Sequence, residues 1–298
     1  MKHITMLTII TLVFFSLSGC IDIFNYNLFE EIDKPKLDTN KLENMNDEEA
    51  VSLIDKAIES KDFLEKLQDT TEKEKVTDKL NAIIKNDKID ASIKEKAMVL
   101  GAKIELKTGG GEKIVKNTTK LLDNETLTSG TATEKEKLAS VIKILMPNEI
   151  VKADSSGNIT LTDKKEAAKL IDSLISAGNY YDSLAQMLQD NDNTYKNKDI
   201  NKEEVAMNAV ICTTLKNITD PDGNPDTNDG SLHWEDDLSP GEALIELATG
   251  NSDNSVTLNS NYNLESSLTE TESTSAPFIE SSQPLKELVE NITQSSTE

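Results

Sequence analysis

The sequence predicts an all-α protein, with helical hairpins packed as an α-solenoid or an irregular helical domain, one small β-hairpin near 149–163, and a disordered acidic C-terminal tail. Three observations lead there. From about residue 47 to 217, apolar residues recur at i, i+3, i+4 and i+7, the spacing of one buried helix face. Only EIVKADSSGNITLTD, at 149–163, alternates as a strand pair does, around the turn Ser156-Gly157. A nineteen-residue helical pattern returns 117 positions later.

The elements follow in order. Asn46 offers an N-cap with Glu49 three residues on, opening a helix whose face carries Ala50, Leu53, Ile54, Ala57 and Ile58. Phe63, Leu64 and Leu67 predict a second short helix, and Val76, Leu80, Ile83 and Ile84 a third stripe. Ala97, Leu100, Ala102, Ile104 and Leu106 form a fourth, which Gly109-Gly110-Gly111 should stop. Further helices are expected at 113–123, 133–146, 164–176, 179–189 and 202–216.

The N-terminus reads differently. Residues 1–19 join a charged start at Lys2 to an apolar run from Ile9 to Phe15, which is shorter than the roughly 20 residues a spanning helix needs. That is the make-up of a signal peptide. The tetrapeptide Leu17-Ser18-Gly19-Cys20 resembles the lipobox of bacterial lipoproteins. The resemblance implies cleavage before Cys20, acylation of its thiol and its new amino terminus, and residues 20–45 as a lipidated tether. Membrane attachment without a spanning helix follows, since two or more acyl chains anchor stably. An ordinary cleaved signal with an incidental cysteine is the alternative. Ile21, rather than Asp, after the cysteine directs the expectation to the outer membrane.

Charge narrows the partners. The chain has 31 Lys and no Arg against 54 acidic residues, a net of −23, and such a field repels nucleic-acid phosphates. The excess is local: from Asn217 to Glu298, 17 carboxylates face the single Lys286. The Ser, Thr, Asn and Glu content beyond Asn251 reads as a solvated tail over 251–298. Within it, Leu285, Leu288, Val289 and Ile292 outline a short amphipathic helix.

Aligning Asn46 with Asp163 lays EAVSLIDKAIESKDFLEKL (49–67) over EAAKLIDSLISAGNYYDSL (166–184), with seven identities in nineteen. Each copy, 46–67 and 163–184, reads as a helical hairpin inside a domain spanning 46–250. AMVLGAKIELKTGGGEKIVKNTTKLL (97–122) resembles a tetratricopeptide unit, with Ala97, Gly101 and Ala102 small enough for close packing. It lacks the family's aromatic positions, and 117 is not a multiple of 34. The resemblance implies a helical-repeat array; a compact irregular domain is the competing reading.

Few residues invite chemistry. Past the signal there is one histidine, His233, and no phosphate-loop, zinc-protease or serine-elbow motif. Cys212 has no disulfide partner if Cys20 is acylated, and its place on the Val205, Ala209, Cys212 stripe predicts a buried thiol. The run Asp220-Pro221-Asp222-Gly223-Asn224-Pro225-Asp226-Thr227-Asn228-Asp229-Gly230 sets oxygen ligands at alternate positions, Asp220, Asp222, Asn224, Asp226 and Asn228. These suit a calcium ion, and the run resembles the acidic loops of EF-hand and thrombospondin type 3 proteins. It departs from the EF-hand, because Pro225 or Thr227 stands where Gly is required. A solvated connector is the plain reading. Trp234 is expected to pin this loop by packing.

The sequence therefore predicts a lipid-anchored envelope protein with a binding or scaffolding domain for a protein or peptide, and no catalysis. A calcium- or small-ligand-binding lipoprotein using 220–234 is the alternative.

Overall fold

The computed structural model describes residues 37–115, 133–153, 159–219, 232–234, 238–249, 256–258, 274–278 and 280. A 3-10 segment, Thr39–Asn44, leads into α1 (Asp47–Ala57), α2 (Lys61–Lys66), α3 (Thr70–Lys85), α4 (Ala91–Gly109) and the single turn α5 (Glu112–Val115). Then come α6 (Glu134–Leu145), strands β1 (Val151–Ala153) and β2 (Ile159–Leu161), α7 (Lys164–Gln189) and α8 (Lys202–Thr219). Strand β3 (Leu232–Trp234), α9 (Pro240–Thr249) and β4 (Val256–Leu258) follow. The fold is all-α, as expected.

Capping sets the helix boundaries, because the first backbone N–H groups of a helix need acceptors from outside it. Asn46 accepts from Glu48 N at 3.0 Å, Asp69 from Glu72 N at 3.2 Å, and Asp163 from Glu166 N at 2.9 Å. Thr133 and Glu136 form a reciprocal capping box. At the other end of α4, Gly110 takes φ 79°, the left-handed conformation that terminates a helix at least cost in glycine. The glycine triplet stops the helix as its sequence implies.

Strands β1 and β2 pair antiparallel, with Val151 opposite Leu161 and Ala153 opposite Ile159, which is the expected hairpin. A second ladder, unforeseen, sets Trp234 opposite Val256 and His233 opposite Thr257.

Two apolar cores share α4. Ala97, Leu100 and Ile104 face a core built with Leu42, Ala50, Ile54, Phe63, Val76 and Leu80. Met98, Val99, Ala102 and Leu106 face a larger one with Ile171, Leu174, Tyr181, Cys212, Leu244 and Phe278. Helix α7 lies against α4, α8 and α9, and α9 also meets α6. Contacts that skip over intervening elements belong to the irregular domain rather than to a solenoid, in which each repeat touches only its neighbours.

Several expectations are corrected. The folded part begins before residue 46: Thr39 and Leu42 of the supposed tether are buried, and their segment packs on α3. Leu37, Leu42 and Met45 supply apolar surface that the N-terminal core takes up. The first copy of the duplicated pattern does break, into α1 and α2. The second is one 26-residue helix, not helices 164–176 and 179–189. Its apparent breaker, Gly178, is a crossing point: a Cβ there would stand 2.8 Å from the Cys212 carbonyl oxygen of α8. Lacking a Cβ, Gly178 lets the two backbones approach. Nor is the 251–298 stretch wholly solvated, since residues 274–278 are helical and Phe278 is fully buried. Apart from these, β4 and Glu280, the tail, including the amphipathic pattern at 285–292, lies outside the described residues, as do 1–36 and the end of the 113–123 helix.

The N-terminal segment is clasped by Glu72. Its carboxylate accepts from Lys75 at 2.7 Å, from the Thr39 hydroxyl, and from Lys66 at 2.9 Å. These bonds, that from Lys75 first, hold its pKa down at about 2.

Two outcomes follow. Replacing Gly178 with Ala should lower stability by about 1–3 kcal/mol, despite a helix-propensity gain of about 1 kcal/mol, because α8 must move away. Urea denaturation reads the sign. For Glu72 the folded-state value lies below the unfolded one, so its contribution is complete above about pH 4.5 and disappears as pH falls towards 2. Amide exchange at Lys41 and Met45 should therefore accelerate with acid in that window, and E72Q should remove the pH dependence.

Candidate functional site

A recess lined largely by charged and polar residues lies where the N-terminal half of α7 meets the start of α9. Its volume is about 480 Å3, and Asp163, Lys165, Glu166, Lys169, Asp172, Ser239 and Glu242 contribute to its walls. Helical spacing puts Lys165, Lys169 and Asp172 on neighbouring turns of one face of α7.

Helix α9 begins with Ser239-Pro240-Gly241-Glu242. Glu242 N donates to Ser239 Oγ at 3.2 Å and Ser239 N donates to the Glu242 carboxylate at 2.9 Å, closing a capping box. Pro240 occupies the first helical position, where no N–H is needed. The Ser239 hydroxyl donates to Asp172 Oδ2 and Gly241 N to Asp172 Oδ1, both at 2.7 Å. A Cβ on Gly241 would stand 2.3 Å from the Ala168 carbonyl oxygen, so glycine is what allows α9 to seat its first turn on α7.

Asp172 is pulled in opposing directions. Burial raises its pKa, the bonds from Ser239 and Gly241 lower it, and the Glu242 charge raises it; the net shift is upward. Its ionisation therefore works against the fold, and the stability it contributes is greatest at low pH and lost as pH rises through its folded-state value, opposite in sign to Glu72. Both oxygens are committed to α9. Chemically this carboxylate is a clamp between helices, while Lys165, Lys169 and Glu166 provide an open, mixed-charge wall.

A second clamp involves α4. Glu95 is fully buried and accepts from Lys196 N at 2.9 Å and Asn197 N at 2.8 Å, while the Asn197 side-chain amide donates to the Ser92 carbonyl oxygen at 3.0 Å. A buried carboxylate is tolerated where backbone N–H groups satisfy it. It fixes the turn between α7 and α8 onto α4.

The sequence-expected sites fall elsewhere. Cys20 and the run Asp220, Asp222, Asn224, Asp226 and Asn228 lie outside the described residues. His233 and Trp234 sit in β3. Cys212 is buried, and desolvation raises its thiol pKa well above the ordinary value, which suits the packed thiol and opposes a nucleophile. Among the described residues no group of three or more His, Cys, Asp or Glu is arranged to hold a metal ion. Among them, too, no helix is long and apolar enough to cross a membrane.

The Ser-Pro-Gly-Glu helix start was legible in the sequence; its partner was not. Asp172 aligns with Asp55, yet Asp55 is bound by Lys96 at 2.9 Å instead, so the repeat pattern gives no hint of the clamp. No family model matches this chain, and comparison with curated proteins and with solved structures finds no significant relative.

Removing the clamp has a graded outcome. Asp172→Ala should cost about 1–3 kcal/mol by orphaning the Ser239 and Gly241 donors. Asp172→Asn should cost less, since the amide oxygen still accepts and burial no longer opposes a charge. Equal urea midpoints for the two variants would contradict the assignment.

Proposed function

We propose that this chain is a bacterial lipoprotein, held in the cell envelope by acyl groups on Cys20, whose helical domain binds or scaffolds another protein or peptide. The observation that carries the reading is Leu17-Ser18-Gly19-Cys20 closing a short apolar run that follows a charged start. Among the described residues, three candidate reactive groups are taken up by packing. Asp172 and Glu95 are spent on holding helices and a turn, and the Cys212 thiol is sealed in the core. The reading assigns no reaction to this chain and places it at the outer membrane where the cell has one.

The test is chemical. Metabolic labelling with an alkyne-bearing fatty acid should tag the wild-type chain and leave it in the membrane fraction, whereas Cys20→Ser should lose the label and leave the membranes. A C20S chain that keeps both would overturn the anchor. Cross-linking on intact cells, compared between wild type and C20S, then reads whether a partner depends on that location.

A further inference from the structure

We draw no further inference here: the strongest candidate, the recess lined by Lys165 and Lys169 at the junction of α7 and α9, belongs to the site already described, with Asp163, Asp172 and Glu242 committed to helix caps and the α7–α9 clamp and nothing in the structure to show what its two exposed lysines bind.

Discussion

The fold depends on α4 being buried on two sides. Ala97, Leu100 and Ile104 complete one core, and Met98, Val99, Ala102 and Leu106 complete the other. Neither group of helices has a closed apolar interior without it. Small residues make the double contact feasible: a Cβ on Gly101 would stand 2.4 Å from the Tyr180 ring, so the glycine seats α7 against α4. The two cores are thereby joined through a rigid element rather than a linker, and disturbance of one reaches the other through side chains a single residue apart. One cooperative transition is what such an arrangement implies.

Charged groups serve this packing. Lysines bridge elements at the rim, as in Lys79 with Asp47 at 2.7 Å, Lys103 with Glu204 at 3.0 Å, and Lys216 with Asp182 at 2.6 Å. Such partly exposed pairs add little stability but fix register. The half-buried Asp172 and the buried Glu95 do more, because they accept from backbone N–H groups, Gly241 for one and Lys196 and Asn197 for the other, that packing would otherwise strand. With arginine absent, every ionic contact is a point charge on a flexible stem rather than a planar fork. The acidic excess of the sequence thus lies mostly past Lys216, and the helical body itself is close to balanced.

Local chemistry made much of this legible. Asn46 and Asp163 cap helices because their side chains reach the first free N–H groups, and Gly110 ends α4 because only glycine takes its φ cheaply. The seven identities between 49–67 and 166–184 mark equivalent faces: Ala50 and Ala167, Ile54 and Ile171, Leu67 and Leu184 are all buried. What was not legible is what depends on a distant partner. Gly178 reads as a helix breaker until α8 is placed against it. Asp172 reads as a surface carboxylate until Gly241, 69 positions away, donates to it. Phe278 reads as part of a polar tail because one aromatic among serines and threonines has no periodicity to announce its burial.

The Thr39–Asn44 segment has a mechanical consequence. A pull applied at Leu37 enters the described helical body through Leu42 in the core and the Glu72 clasp on α3. Its resistance is set first by a few charge-assisted bonds and only then by apolar packing. Tension would open that clasp before it reached α4, so the first turn of the domain acts as a yielding link that spares the shared helix from load.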